Sequence, residues 1–329
     1  MMQLKHYSLA LLTILVVFFT ACQEEEYALP TLEGGLHNDC IKRTLGPNVV
    51  GLNLEFAYAM ALPKAEGKII SAQVEASIAG APATYLENRS FSTNGSGVDV
   101  PVTVGSPSVN SGTKTEVVFT KDTCAATLRY FYIIPEEARG KTVKFTFSAK
   151  ASNGQTVSYE MGPYSIAKMD MKLDLVVSDN NNSYISIADM AVYNAATAAT
   201  NAANIDLVYL YRVITGISFT HALVSPASSP DYLPGITLPS GVNKSAKIWK
   251  VWALRDQHLA RLQYGIFIDD LDFQELDFTG APNYAINLRA EAGIWVETAD
   301  GKYRAYIYIN KIDNTKKEMT ISIKRYPMQ

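Results

Sequence analysis

The sequence predicts an all-β chain: an N-terminal immunoglobulin-like sandwich and a second β-rich domain with one or two short helices. Three observations point there. Aromatic residues make up 10% of the 329 positions, and aromatic and β-branched side chains fit strands best. Short runs alternate between apolar and polar residues along most of the chain. Turn signals such as Asn153-Gly154 and Asp300-Gly301 separate those runs. The length fits two domains of about 100–200 residues each, and 48% hydrophobic against 19% charged residues can fill two cores. A net charge of −3 without a basic block argues against nucleic acid as a partner.

Taken in order, residues 1–21 read as a lipoprotein signal peptide. Lys5 supplies the positive end, Leu9 to Phe19 is an apolar run broken by Thr13, and Phe19-Thr20-Ala21-Cys22 ends it. A membrane span needs about 20 apolar residues, so cleavage and acylation of Cys22 fit better than an uncleaved helix. Residues 22–35 form a tether with the acidic cluster Glu24-Glu25-Glu26.

From Leu36 the chain turns strand-like. Val49 to Met60 is a mostly buried strand, with Gly51 as a bulge candidate. Lys68 to Ile78 follows, then Val98 to Val104, which Pro101 demotes to an edge, then Thr115 to Thr120 and Thr127 to Ile134. Pro135 to Gly140 is a single helical turn, Pro first and Gly last. In Thr142 to Ala149, Val143, Phe145 and Phe147 point one way and Lys144, Thr146 and Ser148 the other. Seven or so short strands over residues 36–167 are the pattern of an immunoglobulin-like sandwich.

The second domain spans 168–329. Asp170 to Val177 alternates, and Asp179 to Ser183 is a polar loop. Met190 to Ala203 reads as a poor helix or a long loop, and Ile205 to Ile214 as a buried strand. Residues 224–243, with four prolines, form a long structured loop and a candidate rim for a site. Leu254 to Leu262 is an amphipathic helix, Gly265 to Phe278 a strand with an acidic bend, and Ala292 to Tyr326 two consecutive hairpins.

The lipoprotein signal, the acidic cluster after Cys22 and the sandwich-like first half resemble two-domain surface lipoproteins of Bacteroidetes-type bacteria. That resemblance implies an outer-membrane, outward-facing, lipid-anchored protein. It further implies glycan capture beside an outer-membrane transporter, and it supplies no catalytic residues.

Motifs for zinc proteases, phosphate loops, dinucleotides and nucleophile elbows are absent from the sequence. The chain is therefore read as a non-enzyme without cofactor or metal. Asp256-Gln257-His258 is read as helix surface. Asp269-Asp270-Leu271-Asp272 lacks the glycine and terminal Glu of a calcium loop and is read as a solvated strand end. A carboxylate pair between that run and Glu275 or Asp277 has no geometry behind it. Trp249 and Trp252 are assigned to core packing. Cys40 and Cys124 are expected to form a disulfide, two buried free thiols being the alternative.

The expected ligand site comes from register. With Asp300-Gly301 as a two-residue turn, Trp295 pairs with Tyr306, Glu297 with Arg304 and Gly293 with Tyr308, all on one face. A flat aromatic surface beside a carboxylate and a guanidinium suits a sugar ring. The expected function is a non-catalytic glycan-binding module of a nutrient-uptake system, with oligosaccharide or polysaccharide as partner. A fimbrial or adhesin subunit is the alternative.

Overall fold

The computed structural model describes residues 34–329. The expected signal peptide, Cys22 and the acidic cluster lie outside the described residues. Leu36–Gln329 forms one compact unit, and its fold is all-β.

Its first half is a sandwich of two antiparallel sheets. One has the order β1-β2-β9-β4 and the other β11-β10-β3-β8-β7. The strands are β1 (His37–Lys42), β2 (Asn53–Ala61), β3 (Ile69–Ala76), β4 (Tyr85–Leu86), β5 (Arg89–Thr93), β6 (Asp99–Thr103), β7 (Val109–Ser111), β8 (Lys114–Val118), β9 (Ala125–Ile133), β10 (Thr142–Ala151) and β11 (Thr156–Ser165). β5 and β6 form a separate hairpin. Alternation decides the faces: Phe56 and Tyr58 of β2, Tyr130 and Tyr132 of β9, and Phe145 and Phe147 of β10 all turn inward and are buried. Their rings interlock, with Phe56 and Phe145 centroids 4.9 Å apart and Tyr132 and Phe145 5.0 Å apart.

The expected disulfide does not form. Cys40 and Cys124 are both free thiols, Cys40 buried and Cys124 half-buried. Cys40 pairs with Tyr58 across β1–β2, whereas the Cys124 carbonyl accepts from Leu62, on the opposite edge of β2. Four residues along a strand separate them by about 13 Å, and two strand spacings add about 10 Å sideways. A bridge tolerates a Cα separation of about 7 Å at most.

The second half is layered more deeply. Its strands are β12 (Asp170–Ser178), β13 (Tyr184–Ser186), β14 (Ala191–Tyr193), β15 (Leu207–Ile214), β16 (Ile217–Val224), β17 (Lys247–Trp252), β18 (Tyr284–Leu288), β19 (Ala292–Glu297), β20 (Tyr303–Asp313) and β21 (Glu318–Pro327). They form sheets β12-β21-β20-β19-β17 and β14-β13-β15-β16-β18. Ile294, Ile307, Ile321 and Ile323 from one sheet meet Ile185, Tyr209, Leu223 and Leu288 from the other. Each sheet is also covered on its outer face, which is why Leu207–Leu210 and Ala305–Ile309 are continuously buried runs.

Each sheet has its own cover. One is made by α1 (Ala195–Thr200) together with the separate proline-rich loop, whose Leu233 and Val242 pack with Ala198 on Val208, Leu210, Ala222 and Val224. The other is residues 253–281, with the one-turn helix α2 (Gln257–Ala260) and α3 (Asp270–Glu275). α3 stands where a strand was expected. Asp269 caps it, its side chain accepting from the Leu271 and Asp272 amides while Asp272 accepts from the Asp269 amide.

No strand pairing joins β1–β11 to β12–β21 among the described residues. The passage between them is held from both sides. Asp270 accepts from the Lys168 amide at 2.6 Å and the Met169 amide at 3.1 Å. Arg139 donates to the Lys168 carbonyl at 2.9 Å and pairs with Asp170 at 2.7 Å.

Candidate functional site

The expected hairpin register is present: Trp295 faces Tyr306, Glu297 faces Arg304 and Gly293 faces Tyr308. The face they share is not open. Trp295 is 6% exposed, Tyr306 0% and Tyr308 3%. Leu259, Ile268, Phe273 and Phe278 of the covering segment lie over it. Phe273 meets the Trp295 ring edge-on at 5.4 Å, and the Tyr306 hydroxyl donates to the Leu254 carbonyl. Arg304, besides pairing with Glu297 at 2.9 Å, donates to the Phe273 carbonyl at 2.6 Å. It fastens the end of α3 to the sheet. Burial alone would raise the Glu297 carboxyl, but hydrogen bonds from Lys247 and Arg304 bring it below its ordinary range. The face is therefore a packing surface, and Trp295, Tyr306, Tyr308, Glu297 and Arg304 do not form an open ligand site. Aromatic area of this size is covered because exposing it to water costs about 25 cal/mol per Å².

Other expectations are also corrected. Asp256 is fully buried, not on a helix surface. It caps α2 by accepting from Leu259 at 2.9 Å, accepts from the Ile268 amide at 2.7 Å, and pairs with Lys324 at 2.6 Å. Burial pushes His258 down to about 4, the Lys324 ammonium adding to the effect. Asp269, Asp270 and Asp272 are helix caps and clamps on residues 168–169, not a solvated strand end. Trp249 and Trp252 are 38% and 52% exposed because β17 is a sheet edge. The Trp249 indole donates to the Asp277 carbonyl at 3.1 Å, and the Lys250 ammonium lies 5.4 Å from the Trp252 ring.

An open polar cleft of about 410 Å³ lies on the opposite side of the second half. Its first wall is the loop between β12 and β13 with the start of β13: Asn180, Asn181, Ser183 and Tyr184. The sequence builds that wall by running three asparagines together. Asn180 sits at φ +60°, a left-handed conformation that Asn tolerates better than most residues. Ser183 closes the turn by donating to the Ser178 carbonyl at 2.9 Å. The floor is the start of α1, where Asn194 accepts from the Thr197 amide at 2.9 Å. The second wall is Gly235, Ile236 and Thr237 of the proline-rich loop. That loop is stiffened by a 3-10 turn at Pro230–Tyr232 and by Tyr232 stacking on Tyr284, ring centroids 3.5 Å apart.

The chemistry of the cleft is neutral. Tyr184 is the one ionisable side chain in its lining, and burial holds its phenol above the ordinary range, hence protonated at pH 7. The side-chain amides of Asn180 and Asn181 are exposed and have no hydrogen-bond partner among the described residues. Each offers one acceptor and two donors. Polar groups in two other cavities are engaged internally. In the groove of about 350 Å³ beside β1, Asn38 donates to the Tyr58 hydroxyl and Asp39 accepts from the Cys40 amide. In the crevice of about 340 Å³ near Asn48, Asp270 serves Lys168 and Met169.

Sequence reasoning picked out the proline-rich loop as a rim, and that loop does line the cleft. It did not assign Asn180 or Asn181 to a site. The signal that could have found them is the Asn180-Asn181-Asn182 run, too polar for a two-residue turn and followed directly by the buried Ser183-Tyr184-Ile185-Ser186.

Residues 33–166 match the domain of unknown function DUF4466, and residues 167–328 match the domain of unknown function DUF8576. The crystal structure of a DUF4466 family protein from Parabacteroides merdae is 51% identical, with a TM-score of 0.84, over 90% of this chain and 99% of that one. The major pilin subunit of Bacillus cereus, BcpA, aligns at 9% identity with a TM-score of 0.28, over 86% of this chain and 63% of its own. No curated protein matches the chain significantly.

Proposed function

We propose that this chain, which belongs to the DUF4466 family, is a non-catalytic binding module that holds a neutral oligosaccharide in the asparagine-lined cleft. The observation that carries the proposal is the pair of unpartnered amides, Asn180 and Asn181, at the mouth of a cleft whose lining bears no charge at pH 7. Sugar hydroxyls both donate and accept, and so does a carboxamide. A charged ligand would find no counter-charge in the lining. A flat apolar ligand would leave the amides desolvated without partners, which costs about 1–3 kcal/mol for each group.

Lipidation at Cys22 and display on the outer membrane belong to the same proposal. They rest on the Phe19-Thr20-Ala21-Cys22 signal and Glu24-Glu25-Glu26. Protease treatment of intact cells should degrade the protein, and replacing the three glutamates by alanine should protect it. Equal degradation of both would refute the export role of the acids.

The binding proposal is tested on an array of neutral and uronic-acid oligosaccharides. Binding to neutral members is expected. The Asn180→Ala/Asn181→Ala variant should unfold at the same temperature and lose about tenfold in affinity, the worth of one to two neutral hydrogen bonds. Unchanged binding by that variant would sink the cleft as the site.

A further inference from the structure

The two walls of the cleft come from segments more than fifty residues apart, and one side chain joins them. Arg212, on β15, donates from Nη1 to Asp179 Oδ2 at 2.7 Å and to the Tyr211 carbonyl at 2.7 Å. Its Nε donates to the Pro234 carbonyl at 2.8 Å. Asp179 immediately precedes Asn180, and Pro234 immediately precedes Gly235. Both anchor points thus directly adjoin lining residues. The Asp179 side chain is 1% exposed and Arg212's is 21% exposed.

Of the five guanidinium N–H groups, the three on Nε and Nη1 are used and the two on Nη2 have no partner among the described residues. A Cβ placed on Gly235 would have Nη2 as its sole neighbour within 4 Å, at 3.8 Å. We propose that Arg212 is the positioning residue of the cleft. It ties the Asn180–Asn181 wall to the Gly235–Thr237 wall and leaves Nη2 free beside Gly235 as a donor for the bound sugar. This rests on the cleft being the binding site. A guanidinium suits the task because its fork holds a carboxylate and a carbonyl in fixed directions at once, which an ammonium cannot do. The Asp179 carboxylate balances its charge, so the donor is added without making the cleft cationic.

Amide hydrogen exchange on the ligand-free protein tests the tie. In Arg212→Met, exchange in residues 179–183 and in residues 235–237 should each rise about tenfold, while Ala305–Ile309 of β20 stays unchanged. In Arg212→Lys, whose ammonium still reaches Asp179 but cannot also hold Pro234, only residues 235–237 should speed up. A purely structural arginine would loosen β20 as well. That result, or an unchanged wall in Arg212→Met, or both walls loosened equally by Arg212→Lys, would overturn the proposal. The oligosaccharide array on the unaltered protein is a separate measurement. Silence there would refute the glycan reading while the exchange pattern still decides the tie.

Discussion

Removing the Asp256 carboxylate should be among the most damaging single changes in the second half. That carboxylate carries three loads at once: the α2 cap at Leu259, the Ile268 amide, and the Lys324 ammonium at 2.6 Å. Asp256 and Lys324 are both 0% exposed, and Lys324 donates also to the Ile268 carbonyl at 2.8 Å. Burial pushes the ammonium below its ordinary range against the pull of the carboxylate. Breaking a buried pair by removing one partner costs about 3–5 kcal/mol, because the other charge is left uncompensated. Loss of an N-cap costs about 1 kcal/mol more. Asp256→Ala should therefore lower the unfolding free energy by about 4–6 kcal/mol. In Asp256→Ala/Lys324→Met no charge is stranded; the cap, the acceptor of the Ile268 amide and the donor to the Ile268 carbonyl are lost, about 2–3 kcal/mol together. Urea unfolding followed by tryptophan fluorescence reads both, since Trp295 lies under the segment that Asp256 holds down. A loss under about 1 kcal/mol in the single variant, or a double variant no better than the single, would refute the reasoning.

Three further outcomes follow from the same geometry. Asp206 is fully buried, and burial raises its carboxyl to about 6 against the Ile187 amide and Lys244. A raised carboxyl stabilises the fold below about pH 4 and loses that contribution as pH rises through 6. Asp206→Asn should flatten this slope and gain up to about 3 kcal/mol at pH 7.5, and parallel pH–stability curves would contradict it. Gly293→Ala places a methyl 2.0 Å from the Tyr306 hydroxyl. It should break the bond to Leu254 and cost about 1–3 kcal/mol by thermal unfolding, and a neutral substitution would mean that Tyr306 is not held where described. Burial, with Asp39 adding to it, pushes the Cys40 thiol up to about 12. In a Cys22→Ser protein kept free of reductant, Cys40 should resist alkylation at pH 8 until urea unfolds the chain, when both Cys40 and Cys124 react. A mass 2 Da lower with no alkylation after unfolding would instead mean a disulfide.

Much of the strand order was legible because alternation and turns are local. Val143, Phe145 and Phe147 announce the inner face of β10, and Asp300-Gly301 sets the register from Gly293 to Tyr308. What covers a face is not local. The aromatic face of β19 and β20 has the same residues whether open or closed, and only the packing of Leu259, Ile268, Phe273 and Phe278 closes it. α3 escaped notice because its capping box pairs Asp269 with Asp272 instead of the usual Ser or Thr with Glu, over a helix of six residues. Trp249 and Trp252 looked like core beside Ile248 and Val251, but an edge strand leaves its indoles half in water. The cleft joins Asn180, Asn194 and Thr237 from three separate segments, a meeting no spacing in the chain announces.

A crystal structure of the protein with the neutral oligosaccharide it binds best on the array bears most directly on the proposed function. Sugar hydroxyls are expected about 2.7–3.2 Å from the carboxamides of Asn180 and Asn181, with Thr237 on the far side of the ring. A sugar seated on the exposed indoles of Trp249 or Trp252 instead, with the asparagine cleft empty, would contradict it.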